Sequence, residues 1–188
     1  MEIAERLICH GPVDYGPLAN AIAAQDEAAW HEQEERQKDY EVHRLTQSIV
    51  LLFAEVDPWP RMDVSRQPGW ARLAPVAVPL MDSIIARWYP PGGRIIRAMA
   101  AKLLPGGKID PHRDAHPSFN CGHRIHVPIT TNPRVRFTVD GRPFKLEVGQ
   151  CYEINNRMMH SVANKGDTER IHFIFDYVPA DREPVARA

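Results

Sequence analysis

Cysteine is scarce in this chain: there are 3 in 188 residues, an odd number, at positions 9, 121 and 151. Thiols scattered in this way build neither a disulfide framework nor a zinc knuckle, so reduced cysteines in a cytoplasm are the expectation. Long apolar runs are missing too, and none approaches the length of a membrane span. The opening Met1-Glu2-Ile3-Ala4-Glu5-Arg6 has no basic segment leading into an apolar one, and no secretion signal is expected. Neither sign of charge dominates: 23 Lys and Arg against 24 Asp and Glu give a formal net charge of -1. With both signs interspersed, there is no electrostatic reason to expect a nucleic-acid or acidic-membrane partner. No internal repeat or low-complexity tract is present.

What remains is the composition of one ordinary soluble domain, 44% hydrophobic and 25% charged, long enough for a sizeable core. Residues 1–93 read as a helical and loop-rich part. Leu18, Ile22 and the alanines through Ala29 have loose helical spacing, and the charged stretch Glu32 to Lys38 reads as a solvated helix face. Thr46 to Phe53 predicts a strand. Asp57 to Gly69, with prolines at 58, 60 and 68, predicts a surface loop. Leu80, Met81, Ile84, Ile85 and Trp88 recur on one helical face, with Pro79 in the first turn and Pro90-Pro91-Gly92-Gly93 as the stop.

After Gly93 the texture becomes short strands and turns. Runs at Ile95 to Leu104, Phe144 to Val148 and Cys151 to Ile154 read as strands. Arg124 to Ile129 alternates, with Ile125, Val127 and Ile129 on one face and Arg124 and His126 on the other. Val135, Phe137 and Val139 alternate again, and Asp140-Gly141 is a two-residue hairpin signal. In Arg170 to Tyr177, Ile171, Phe173, Phe175 and Tyr177 share one face; Arg170, His172, Ile174 and Asp176 share the other. The pattern predicts a mainly β fold, a sandwich or jelly-roll barrel, with flanking helices packed outside.

The chemistry is concentrated in His112-Arg113-Asp114, His160 and Arg170. Two imidazoles and a carboxylate can take three facial positions around Fe(II) and leave three open for cosubstrate and O₂. Residues i and i+2 of a strand point the same way, so His112 and Asp114 can share an ion that His160 completes from a facing strand. His116 competes with Asp114 for the same face, but Pro117 directly after it favours a loop position and ranks it second. His10, His31, His43 and His123 have no partners at useful spacing and read as ordinary polar histidines. An arginine directed into a barrel must meet an anion, because an unpaired buried charge is costly. Arg170 therefore fits a small dicarboxylate such as 2-oxoglutarate, with an outward, strand-edge arginine as the alternative. Arg124 and His126 pose the same question on their own strand.

Residues 94–178 resemble the aspartyl/asparaginyl β-hydroxylase family of 2-oxoglutarate oxygenases, in particular its short bacterial members. The matching stretches are Leu103 to Asp114, Arg124 to Ile129, Glu153 to Arg157 leading to His160 to Asn164, and Arg170 to Asp176. The resemblance implies a double-stranded β-helix (cupin-like jelly roll) with His112 and His160 as iron ligands. It implies Arg170 on the distal carboxylate of 2-oxoglutarate and His126 near that cosubstrate. It also implies Arg124 as the anchor of a substrate carboxylate. Animal relatives have glycine where Asp114 stands, so this chain offers a full triad. Their serine that assists the distal carboxylate falls near Ala101.

These readings lead to one expectation: a dioxygenase using Fe(II), 2-oxoglutarate and O₂ to hydroxylate an unactivated C–H bond. Its substrate would be an amino acid, a peptidyl side chain or a related carboxylate. The rival is a metal-binding cupin without redox chemistry, an isomerase or small-molecule sensor, which would not need Arg170.

Overall fold

The computed structural model describes residues 3–32 and 45–184. His43 and the 33–38 part of the charged stretch lie outside the described residues. Among the described residues, eleven strands form two antiparallel sheets. The larger sheet has the order β1-β9-β6-β11-β4-β2-β3. Its members are β1 (Leu7–Pro12), β2 (Thr46–Glu55), β3 (Asp63–Arg66), β4 (Arg94–Leu103), β6 (His123–Thr130), β9 (Gln150–Ile154) and β11 (Arg170–Val178). The smaller sheet, β5-β10-β7-β8, contains β5 (Lys108–His112), β7 (Val135–Val139), β8 (Arg142–Phe144) and β10 (His160–Asn164). This is the double-stranded β-helix that the strand pattern and the resemblance implied. Among the described residues, no helix is long and apolar enough to cross a membrane.

The alternation in the sequence decides which face of the large sheet is wet chemistry and which is oil. Ile125, Val127, Phe173 and Phe175 point outward and are closed off by α1 (Gly16–Ala23), α2 (Glu27–His31) and α3 (Gly69–Trp88). Leu18, Ile22, Leu73, Ala77, Met81 and Ile84 supply the helical side of that core. Full burial of each such side chain stabilises by roughly 1.5–3 kcal/mol. Between the sheets lies a second, smaller cluster of Leu103, Phe137, Val139, Leu146, Tyr152, Ile154 and Val162. The polar residues of β6 and β11 share that inner space.

Several local readings change. The first part supplies three strands as well as helices, because β1 pairs with β9 while β2 and β3 extend the sheet beyond β4. The segment expected to be a loop up to Gly69 thus contains β3. Helix α3 begins ten residues before Pro79 and carries both Pro75 and Pro79 inside it. A proline inside a helix removes a hydrogen bond and ordinarily breaks it. Here burial of Leu73, Ala74 and Ala77 on the same stripe as Leu80 and Met81 carries the helix through. Its start also needs Gly69, where a Cβ would come within 2.5 Å of the Val50 carbonyl oxygen. The hairpin is as expected: Asp140 and Gly141 both have positive φ, 49° and 73°, and join β7 to β8. Phe144 ends β8, and residues 145–149 run on as a connection.

On the outer side of β6 and β9, His10 and His123 are tied together through one carboxylate. Glu153 meets His123 Nδ1 at 2.7 Å and accepts from Tyr89 Oη at 3.1 Å, and Tyr89 Oη lies 3.0 Å from His10 Nε2. Burial alone would raise the Glu153 carboxyl, but hydrogen bonds from His10, His123 and Tyr89 hold it at about 2. A carboxyl depressed in this way stabilises the fold fully above its unfolded value of 4.5. That contribution is lost as the pH falls from there through about 2. Replacing Glu153 with Gln should therefore reduce stability at pH 7 by on the order of 3 kcal/mol in urea unfolding. The difference from the unaltered protein should shrink as the pH approaches 2; equal stability at pH 7 would refute this account.

Candidate active site

β5 and β10 are neighbours, and His160 pairs with His112 directly across them. Cross-strand partners share a face, so the two imidazoles meet with ring centroids 4.2 Å apart. Asp114 joins them from just beyond the end of β5. It does not continue the strand, as the i, i+2 reading required; its backbone N–H donates to the Asn156 carbonyl at 3.1 Å, which turns the side chain inward. One ligand atom from each of His112, Asp114 and His160 lies within 4.8 Å of the others, the one such cluster among the described residues. His112 Nε2 is 3.9 Å from Asp114 Oδ1.

The surrounding hydrogen bonds show which atoms are left for an ion. His112 Nδ1 lies 2.8 Å from the Asp110 carbonyl, and His160 Nδ1 lies 3.0 Å from the Met158 carbonyl. A carbonyl accepts only, so each Nδ1 carries the proton and each Nε2 keeps its lone pair. Burial pushes His160 below its ordinary imidazole value, against the raising effect of the Met158 carbonyl, and so favours the neutral ligating form. Asp114 Oδ2 accepts from Arg124 Nη1 at 2.6 Å and Asn156 Nδ2 at 3.1 Å, leaving Oδ1 as the ligand atom. Two neutral imidazoles and a carboxylate oxygen suit Fe(II), so the residues fit the expected metal.

His116 stands apart from this cluster. Its Nδ1 accepts from the Ser118 backbone N–H at 3.1 Å, capping a short 3₁₀ turn (Pro117–Asn120), and its ring meets Trp59 edge-on. His116 is not part of the His112, Asp114 and His160 cluster.

Arg170 points inward and is 3% exposed. Its Nη2 donates to His172 Nδ1 at 2.5 Å, and its buried Nε has no partner. Among the described residues no carboxylate pairs with it, and burial lowers its value to about 9. Arg170 and His172 line a cavity of about 220 Å³ with Phe137, Leu146, Thr131 and Asn132. His126 Nδ1 lies 3.3 Å from the same His172 Nδ1. Burial, then the charge of Arg170, push both imidazoles well below their ordinary values and keep them neutral. Ala101 lies opposite His172 on β4, so the neighbour that Arg170 has there is an imidazole and not a hydroxyl.

Arg124 has other partners than the expected substrate carboxylate. Its Nε and Nη2 make a two-pronged contact with Asp176, both at 2.8 Å, and Nη1 takes Asp114. Arg97 meets the same Asp176 at 3.3 Å and Ser118 Oγ at 2.9 Å. The guanidinium of Arg124 is thus committed to two carboxylates of the chain itself, which corrects its reading as a substrate anchor. Asn156 and Asp176 are site residues that sequence reasoning missed. The alternation did place Asp176 on the face of Arg170 and His172; nothing marked Asn156 within Glu153-Ile154-Asn155-Asn156-Arg157.

The two-histidine, one-aspartate cluster could hold a metal ion and lies in a double-stranded β-helix. A profile of the Aspartyl/Asparaginyl beta-hydroxylase family matches residues 18–179, and the chain belongs to that family of hydroxylases. A search of curated protein sequences gave no match. Among solved structures, a prolyl hydroxylase from Trichoplax adhaerens in complex with a hypoxia inducible factor peptide fragment is similar, with a TM-score of 0.62 at 10% identity. That alignment covers 98% of this chain and 89% of the other. A 2OG-Fe(II) oxygenase family protein from Burkholderia pseudomallei aligns with a TM-score of 0.56 at 14% identity, over 91% and 93% of the two chains. The non-heme monooxygenase ThoJ, as a nickel complex, aligns with a TM-score of 0.57 at 15% identity, over 93% and 74%. At these identities the likeness is one of fold.

Changing His160 or Asp114 to Ala should weaken Co(II) binding, measured by calorimetry, by more than the roughly 10–100-fold typical of outer-shell changes. His116→Ala should leave it unchanged. Loss of binding in the His116 variant with retention in the Asp114 variant would reverse the assignment.

Proposed function

We propose that this protein is an Fe(II)- and 2-oxoglutarate-dependent dioxygenase that hydroxylates an unactivated C–H bond of an amino acid, a peptidyl side chain or a related small molecule. The observation that carries this reading is Arg170, a buried guanidinium with an unpartnered Nε that lines a small cavity together with His172. A metal-binding cupin without redox chemistry would not need Arg170 to bind 2-oxoglutarate. In a dioxygenase the distal carboxylate of that cosubstrate would pair with Arg170 and relieve the cost of burying it.

His112, Asp114 and His160 would hold the iron. When bound, iron and 2-oxoglutarate would activate O₂, the oxidant, so that one oxygen atom enters the substrate as hydroxyl and the other enters succinate, with CO₂ released. The chain's own contribution is positional. The Asp110 and Met158 carbonyls fix the ligating tautomers of the two histidines. His172 orients Arg170, and neutral His126 closes the space between that arginine and the side of His160 without adding charge. Asp114 occupies the position that a halide would need, which favours hydroxylation over halogenation.

The expected activity is Fe(II)-dependent decarboxylation of 2-oxoglutarate with formation of succinate, stimulated by the true substrate. Screening amino acids and peptides for a mass gain of one oxygen atom would identify that substrate. Arg170→Ala removes one partner of a buried charge pair, a loss of about 3–5 kcal/mol or roughly two to four powers of ten in cosubstrate affinity. It should raise the 2-oxoglutarate requirement accordingly while leaving Co(II) affinity unchanged. Normal 2-oxoglutarate dependence in that variant would defeat the oxygenase reading.

A further inference from the structure

Asp114 is the residue that distinguishes this chain's metal cluster from a two-histidine site, and its carboxylate is held unusually firmly. A free carboxylate can bind an ion through one oxygen or both. Chelation through both would leave two of six positions open instead of three, too few for a chelating cosubstrate and O₂ together. Here Oδ2 is occupied by Arg124 Nη1 at 2.6 Å and Asn156 Nδ2 at 3.1 Å. Arg124 cannot easily turn away, since Asp176 grips its Nε and Nη2 at 2.8 Å each. Its guanidinium also lies flat near the Phe119 ring, 4.6 Å from the centroid. Asp176 is fixed in turn by Arg97.

Building on the proposed metal site, we infer that Arg124 is a positioning residue for Asp114: it occupies Oδ2 so that the carboxylate offers the ion a single oxygen, Oδ1. The Asp114–Arg124–Asp176 series is a unit. In it Asp176 sets the guanidinium plane, Arg124 sets the carboxylate plane, and the carboxylate sets one metal position. A substrate carboxylate seeking Arg124 would have to displace the fork to Asp176 or the single contact to Asp114. Asn156 assists, through its side chain to Oδ2 and its carbonyl to the Asp114 N–H.

A double-mutant cycle read by Mn(II) affinity tests this, because ion binding reports on Asp114 without any turnover. Arg124→Gln alone should weaken Mn(II) binding about 10–100-fold, as outer-shell losses do. In an Asp114→Ala background the same change should cost nothing further. Arg124→Lys, which keeps one donor and the charge, should recover part of the loss. Additive losses in the Asp114→Ala background, or unchanged affinity in Arg124→Gln, would overturn the inference. If Arg124→Gln does not fold, Asn156→Ala takes its place in the cycle with the same non-additivity expected. His160→Ala separates the two levels of the account. If it binds Mn(II) like the unaltered protein, the metal site itself fails; if only the Arg124 cycle is additive, the positioning role alone fails.

Discussion

Charge buried between two sheets must be neutralised, and this barrel does so completely at one end and leaves it open at the other. Arg97, Arg124, Asp114 and Asp176 form two cations and two anions in contact. Burial would raise the Asp176 carboxyl, but Arg124 and then Arg97 outweigh it and hold Asp176 below its ordinary value. At the other end of β11, Arg170 is as deeply buried and has an imidazole for a neighbour where a carboxylate would be needed. One closed set of charges builds the scaffold of the metal position. At the end left open, Arg170 Nε has no hydrogen-bond partner.

The two ends sit on one strand face. Arg170, His172 and Asp176 alternate along β11 with Ile171, Phe173, Phe175 and Tyr177, which face the helical core. The apolar half fixes the register, because a slip of one residue would drive the charged half into the oil under α3. Stability of the outer core and placement of the inner charges are therefore one constraint. Family kinship fits the same picture. In this chain Arg124 lies on the Asp114 carboxylate, with Nη1 2.6 Å from Oδ2.

Much of this could be read from residues alone. Period-two alternation identified β6, β7 and β11, and Asp140-Gly141 identified the hairpin, since both are local properties of backbone and side chain. The metal cluster was legible because His112, Asp114 and His160 form a chemically unusual set even at long separation. Alternation reports a face, however, and not a partner. It placed Arg124 on one face with His126 and could not show that Asp176 and Asp114 meet it there, because those contacts join three separate segments. Strand β1 was hidden for a similar reason: Leu7–Pro12 is an edge strand with little apolar alternation, held by pairing with β9. Helix α3 was read as starting at Pro79 because a proline fits the first turn, whereas tertiary burial carries the helix through Pro75 and Pro79 from Gly69.

The central claim is that a metal on the triad and 2-oxoglutarate on Arg170 occupy one continuous site. Calorimetric titration of 2-oxoglutarate into Mn(II)-loaded and metal-free protein, without O₂, tests it most directly. The account predicts one-to-one binding that is strongly tightened by the metal, because the cosubstrate would then be held at both of its ends. Binding of equal strength with and without metal, or no binding to the loaded protein, would contradict it.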